Sequence, residues 1–384
     1  MDFELTDDQR AFRDTIRDFT NREIRPVARD MEQSGTYPTE IVEKMKAMGL
    51  FGLTIPSEMG GLGADTVTLA LVFEELSRGW MGIAGMIGSH GMACKLIAKH
   101  GTAEQQRKYL PDLATGVRRS GLALTEPDAG SDLQGIRMVA RRDGDIFVVN
   151  GTKTWITNAR HADPLPVLVK TDPDAEPAHR GMSILLVAAD TPGMTITKDL
   201  PKLGYKGPET CEIVFEDAEV PVNELLGGEV GHGMGQAISG LQTGRVNIAA
   251  RAVGVSHRAL EEALNYSGER HAFGKPIGEF QAVQLRLADM ATKIAAARQL
   301  TWWAATKVDS GADAATESAM AKLFASELAL EATLDSMRIH GGYGYSTEFE
   351  VERLYRDAPL MAIGEGTNDI LRTVIAKGIR KTGI

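Results

Sequence analysis

Apolar residues follow three regimes along this chain: helical spacing first, short β-branched runs in the middle, and helical spacing again to the end. In the first stretch Phe12, Ile16 and Phe19 mark one helix face, and Thr6-x-x-Gln9 and Thr102-x-x-Gln105 both have the form of a capping box. Gly49 and Gly79 stand where helix C-caps are needed, and Gly60-Gly61-Leu62-Gly63 reads as a loop. From about Gly121 the apolar runs shorten, at 146–149, 154–157, 166–169, 182–187, 194–197 and 212–215. Asp143-Gly144 and Asn150-Gly151 are hairpin dipeptides between three of these segments, which predicts a meandering β-sandwich or barrel. After Val220-Pro221 long amphipathic runs around 246–266, 283–308 and 319–339 predict a helical bundle. The expected fold is α+β and multidomain: a helical part over 1–118, a β part over 119–226 and a helical bundle over 227–384.

The order α, β, α excludes a doubly wound nucleotide fold, since no βαβ alternation appears. Gly231-x-Gly233 is followed by Gln236 where a dinucleotide fingerprint needs its third glycine, and no Walker-type loop exists. At 384 residues and 43% hydrophobic, the chain exceeds the usual single-core limit. Its 42 basic against 52 acidic residues form no long basic block, which argues against nucleic acid. Cys94 and Cys211 are too few for a disulfide framework or a cysteine metal site, and the histidines show no metal-ligand spacing, so no metal is expected. The residues from Met1 to Arg10 lack the features of a signal or transit peptide. The most apolar stretch, 80–98, is broken by Ser89, His90 and Lys95, so no membrane span is expected and the location reads as cytoplasmic.

Five segments have the residue types that chemistry uses. Gly364-Glu365-Gly366 sets one carboxylate between two glycines, with Thr367 placed to cap the helix that follows, which makes Glu365 the candidate base. LALTEPDAGSD over 122–132 offers a tight turn with the hydroxyls of Thr125 and Ser131. NGTKTWITN over 150–158 puts Trp155 and Thr157 on one side of a regular strand, an indole and a hydroxyl able to meet a flat ring. ERHAFGKPI over 269–277, with Gln281 beyond it, combines Arg270 and Lys275 with a helix start, a phosphate cradle. HGGYGY over 340–345 allows close backbone approach after Arg338. Taken singly, each is equally a turn or a charged loop.

Together and in this order, the five segments resemble the acyl-CoA dehydrogenase family along essentially the whole chain. The resemblance implies a helical N-terminal domain, a central β domain and a C-terminal four-helix bundle, with FAD between them. It assigns Leu122, Leu124, Thr125, Ser131, Trp155 and Thr157 to the flavin ring. Arg270, Phe273 and Gln281 match positions that reach the adenosine diphosphate half of FAD across a subunit interface, joined by Arg338 and Gly342, and Thr367 is also counted as a cofactor contact. A homo-oligomer, in the family a tetramer, follows. Position 338 departs from the pattern, being Arg where many relatives carry Gln, a change compatible with a pyrophosphate contact.

Glu365 matches the base that takes the α-proton of an acyl-CoA thioester while a hydride leaves the β-carbon. Ser131, Leu241, Arg245, Gly85, Gly88, Gly364 and Gly366 fall in the substrate-lining stretches of relatives. Some relatives place the base just before the residue that here is Arg245, but position 244 is Gly. The implied acceptor is an electron-transferring flavoprotein; the alternatives are an oxidase reoxidised by O₂ and a non-catalytic scaffold. Gly82, Gly85 and Gly88 recur on one helix side, and Gly364 precedes the base where relatives often carry a bulky residue. Two readings stand: volume for a long, branched or cyclic acyl chain, or close helix packing.

Overall fold

The computed structural model describes residues 4–382, so Met1 to Phe3 of the polar start lie outside it. Both capping boxes form. Thr6 and Gln9 exchange side-chain and backbone hydrogen bonds at 3.1 Å and open α1 (Asp7–Phe19), and Thr102 and Gln105 do the same for α6 (Ala103–Thr115). Between them lie a π-turn (Thr20–Ile24), α2 (Arg25–Ser34), α3 (Thr39–Ala47), α4 (Thr66–Gly79) and α5 (Met81–His100). Gly49 takes the left-handed conformation after α3, at φ 73°. Gly79 does not act as such a cap: it is the last residue of α4, and extended Trp80 follows. A Cβ at position 79 would lie 2.5 Å from Thr20 Cγ2, so glycine there serves the contact between α4 and the π-turn.

The middle of the chain forms one six-stranded mixed sheet from β1 (Val139–Asp143), β2 (Ile146–Thr157), β3 (Leu165–Lys170), β4 (Met182–Val187), β5 (Met194–Asp199) and β6 (Thr210–Pro221), in the order β4-β3-β1-β2-β6-β5. Asp143-Gly144 turns β1 into antiparallel β2, with Asp143 opposite Ile146 and Gly144 at φ 60°. Asn150-Gly151 is not a turn. β2 runs straight through it, because β6 is long enough to pair along its whole length. The glycine instead serves a bulge where the register slips between Val149 and Gly151. Its Cβ would stand 2.9 Å from Met138, and the Asn150 side chain closes the bulge on Asp217 at 3.0 and 2.9 Å. β3 and β4 are buried on both faces. Val167 and Val169 enter the sheet's own core with Phe147 and Phe215, while Leu168 and Leu186 pack against Ile97, Tyr109 and Leu113 of α5 and α6.

The chain then returns to helices: α7 (Gly233–Glu269), a small hairpin of β7 (His271–Ala272) and β8 (Lys275–Pro276), α8 (Gln281–Asp309), α9 (Ala315–His340), α10 (Val351–Ile363) and α11 (Asn368–Thr382). The first and last thirds share one core, in which Phe73, Leu76 and Ile87 meet Val253, Ala297 and Leu328. Buried charges join them as well. Glu74 of α4, 4% exposed, accepts from Arg298 of α8 at 3.0 Å with His257 of α7 alongside, and Glu75 holds Arg17 of α1 at 2.6 Å.

Burial pushes the Glu74 carboxyl up, but the hydrogen bond with His257 and the charge of Arg298 overcome it and hold the group down to about 2. A carboxyl whose native pKa lies below its unfolded value stabilises the fold fully above the unfolded value of 4.5 and loses that contribution as pH falls towards 2. Glu74→Gln is therefore expected to cost ~3–5 kcal/mol near neutrality, because it strands the Arg298 guanidinium. It should also flatten the acid limb of the thermal midpoint plotted against pH. An acid limb unchanged from wild type would show that the clamp carries no such weight.

Candidate active site

Glu365 owes its position to the break between α10 and α11. Gly364 leaves the helix extended, Glu365 takes φ 56°, Gly366 takes φ 88°, and Thr367 caps α11 through its hydroxyl to Ile370 N–H at 3.3 Å. A left-handed glutamate is strained, and neighbours hold it in place. Lys322 of α9 donates to Gly366 O at 2.8 Å and Asn368 Oδ1 at 2.9 Å, while Asn368 also donates to Glu327 at 2.9 Å. Burial lowers the Lys322 ammonium to about 8.

The carboxylate is aimed at α7, where Gly244 makes room for it: a Cβ at 244 would stand 2.8 Å from Glu365 Oε2 and 2.8 Å from Met92 Sδ. Desolvation raises the Glu365 pKa, against the opposing charges of Arg251, Arg245 and Lys322. The residue keeps partial solvent access along the cleft. A carboxylate with a raised pKa beside three cations is suited to taking a proton near neutrality. Arg245 lies buried beside it with Nε unpartnered, and Leu241 stands half-buried one turn earlier on α7. The Glu365 N–H makes no hydrogen bond among the described residues.

Of the two readings of the α5 glycines, the structure decides for packing. A Cβ at Gly82 would meet Lys206 O at 2.8 Å, one at Gly85 would meet Tyr205 Oη at 2.0 Å, and one at Gly88 would meet Asn247 Nδ2 at 2.2 Å. The expected volume is thus occupied by the β5–β6 loop and by α7. Gly88 still borders an apolar void with Phe51, Phe73, Met92 and Asn247, but that void is about the size of one water. Gly364 differs, since the nearest atom to its Cβ position is Leu360 O at 3.4 Å, ordinary contact that leaves room next to the base.

The β-domain residues gather on a second wall. Ala123 bonds to β3 through Pro166 O at 2.9 Å and Leu168 N–H at 3.0 Å, and it points into the sheet core. Leu122 and Leu124 therefore alternate to the other side, half-buried, and Thr125 O accepts from Thr154 N–H at 2.9 Å. Trp155 and Thr157 do not share a regular strand face. A second bulge interrupts β2 between Lys153 and Ile156, Trp155 takes φ 62°, and its indole is 57% exposed. Thr157 sits beside Tyr205, and Ser131 is exposed on the outer turn.

Sequence reasoning missed the pair that fixes this wall. Lys153 donates to Leu124 O at 2.9 Å and to Glu126 Oε1 at 2.8 Å, and Glu126 also accepts from Arg137 N–H at 2.6 Å and Met138 N–H at 3.1 Å. A lysine on an inward strand register was the available signal, because such a residue stays charged only beside a carboxylate.

Arg270, Phe273 and Gln281 are exposed around the β7–β8 hairpin, with Phe273 at φ 51° and 96% exposed. Arg338 pairs with Asp335 at 3.2 Å at the end of α9, and Gly342 is exposed in the turn beyond. The Tyr266–His340 stack, 4.3 Å between centroids, sets these two groups side by side.

Three family models cover the chain, those of the acyl-CoA dehydrogenase N-terminal domain over residues 6–117, middle domain over 121–218 and C-terminal domain over 231–380. The chain belongs to the acyl-CoA dehydrogenase family. The members of this family are FAD-dependent oxidoreductases. The chain is 43% identical to the probable acyl-CoA dehydrogenase YngJ of Bacillus subtilis, over 99% of this chain and 100% of that one. It is similar to the solved butyryl-CoA dehydrogenase of Megasphaera elsdenii, with TM-score 0.95, 35% identity, and 99% and 100% of the two chains covered. It is also similar to a chain of the structure described as electron transferring flavoprotein of Acidaminococcus fermentans, with TM-score 0.96, 37% identity, and 99% of each chain covered. Among the described residues no helix is long and apolar enough to cross a membrane, and no cluster of His, Cys, Asp and Glu has the form of a metal site.

The Gly244 notch gives a test of the geometry. Gly244→Ala pushes its Cβ against the ends of two flexible side chains, so the fold should hold while the carboxylate moves. Turnover is expected to fall by ~10–100-fold with FAD content unaltered, since misplacement of a reacting group by about 1 Å costs that much. Flavin bleaching by acyl-CoA under argon at the wild-type rate would show that the notch does not position Glu365.

Proposed function

We propose that this enzyme removes the α-proton and β-hydride of a short-chain acyl-CoA thioester, giving the 2-enoyl-CoA, with Glu365 as base. The observation that carries this reading is the desolvated Glu365 carboxylate held at positive φ in the Gly244 notch, with its own N–H unpaired. That N–H is a donor for the thioester carbonyl, and a hydrogen bond there stabilises the enolate charge that develops as the α-proton leaves. FAD, when bound, supplies the hydride acceptor.

The residues of this chain fit that group. Leu122, Leu124, Thr125, Trp155 and Thr157 offer an apolar strip with hydroxyls and an exposed indole, and the buried Asn158 Oδ1 next to them has no partner. Arg270, Phe273, Gln281, Arg338 and Gly342 would hold the adenosine diphosphate half of FAD in a homo-oligomer, a tetramer as the resemblance implies. Phe273 supports this, because nothing in its own chain buries it. Thr367 would contribute through the helix start it caps, and Ser131, Leu241 and Arg245 would contact the acyl-CoA substrate, as the resemblance implies.

Filling of the Gly82, Gly85 and Gly88 positions supports a short acyl group, as does the similarity to a butyryl-CoA dehydrogenase. An electron-transferring flavoprotein is the proposed acceptor, supported by the Acidaminococcus likeness.

Anaerobic addition of butyryl-CoA is expected to bleach the yellow enzyme faster than octanoyl- or palmitoyl-CoA, and rapid return of colour in air would point to an oxidase instead. Glu365→Gln should lower turnover by at least ~10²-fold while FAD stays bound. A variant keeping more than about a tenth of wild-type turnover would move the base elsewhere. Arg270→Ala is expected to lose FAD on dialysis through loss of a charge-assisted phosphate contact, and undiminished flavin occupancy would reject that role.

A further inference from the structure

Arg251 lies near the base, where its charge is the largest of those opposing the rise in the Glu365 pKa, and it has no other role in the removal of the α-proton. It follows Gly244 by seven residues on the same face of α7, hence ~10 Å further along the helix, with Asn247 between them. α5 runs antiparallel along that face: Met92 lies beside Gly244, Gly88 against Asn247, and Met81 against Arg251. The site residues thus form one row, with Glu365 at one end and Arg251 at the other.

Arg251 is 5% exposed and forms no ion pair among the described residues. Its Nη2 donates to Met81 Sδ at 2.7 Å, its Nε has no partner, and the guanidinium lies over the Tyr205 ring at 5.2 Å with a side-chain hydrogen bond to that neutral phenol. A thioether is a weak acceptor and an aromatic face neutralises little charge. Other buried or half-buried arginines of this chain are matched differently: Arg78, Arg298, Arg353 and Arg356 each hold a carboxylate. Leaving a guanidinium buried without a counter-ion is costly, and the cost falls when a bound anion completes it. Nε and Nη2 share one edge of the guanidinium, the edge that grips a carboxylate through two parallel hydrogen bonds. Asn247, also 5% exposed, leaves Oδ1 unpartnered along the same row, so the stretch between base and arginine is short of polar partners at two points.

We propose that Arg251 binds a carboxylate at the far end of the acyl chain, so that the substrate class is the CoA thioester of a short dicarboxylic acid. This rests on the acyl-CoA dehydrogenation reading above. The chain that spans the row is short, because side chains lean towards the N-terminus of their helix and Arg251 reaches back along α7 towards Glu365. The redox step keeps its balance. The α-proton goes to Glu365 and the β-hydride to FAD, a carbon–carbon double bond forms between those carbons, and the terminal carboxylate stays on the product.

The test compares glutaryl-CoA with valeryl-CoA, which has the same acyl length without the carboxylate, on the FAD-loaded enzyme. Wild type should favour glutaryl-CoA in kcat/KM. That ratio should fall by ~10–100-fold in Arg251→Met, the range for hydrogen bonds to a charged group, and recover in part in Arg251→Lys. Wild type favouring valeryl-CoA overturns the proposal whether or not the variants fold. An equal loss on both thioesters, with an altered flavin spectrum, also overturns it and gives Arg251 to the cofactor. Failure of glutaryl-, valeryl- and butyryl-CoA alike to bleach the flavin would remove the dehydrogenation reading itself, whereas bleaching by the monocarboxylic thioesters alone removes only this inference.

Discussion

Close approach of α7 to α4 and α5 is the constraint from which the rest of the site follows. A Cβ at Gly254 would stand 2.2 Å from Glu74 O of α4, one at Gly88 of α5 would overlap the Asn247 amide, and one at Gly244 would touch the Glu365 carboxylate. Small residues at these points bring the first and last thirds of the chain into one core. The same absence of side chains leaves the notch in which a single carboxylate fits. Packing and function therefore draw on the same feature: a helix kept thin on one face meets its neighbours at short range and keeps space for a reacting group.

Charge is distributed unevenly around that helix. On the side of α4 and α8, Glu74 and Glu75 are matched by Arg298, Arg17 and Arg78, and these clamps fix the relative placement of α1, α4, α7 and α8. Facing α5, Arg245 and Arg251 are buried and form no ion pair among the described residues, and Glu365 is desolvated, with the charges of Arg251, Arg245 and Lys322 opposing the rise in its pKa. The first arrangement closes within the chain, while the second has unused donors and a poised acceptor, as a ligand site requires.

The β domain supplies rigidity where the wall of the site needs it. Two bulges interrupt the pairing of β2 with β6: the first puts its extra residue on β6, where Asp217 takes φ 49° opposite Asn150 and Gly151, and the second puts it on β2, where Trp155 takes φ 62°. The Lys153–Glu126 pair then ties the 122–126 segment to that strand. Removing either partner would leave the other charge buried beside the putting together of Leu124 and Thr125 on this wall.

Much of this was determined by local chemistry that the sequence carries by itself. The Thr6 and Thr102 capping boxes, the Asp143-Gly144 turn, the change of period near Gly121 and the glycine-flanked Glu365 before a Thr-capped helix all depend on residues within a few positions of each other. Tertiary structure alone decided what depends on partners far along the chain. Asn150-Gly151 has the local form of a turn, yet β6 draws it into a strand. Gly82, Gly85 and Gly88 are small for either of two reasons, and only the arrival of Tyr205 and Asn247 selects between them. Lys153, Asn247 and Arg251 look unexceptional until the fold shows which face of their strand or helix is buried. Period and capping are set by neighbours in sequence, whereas occupied volume and the pairing of buried charge are set by whatever the completed fold brings against a residue.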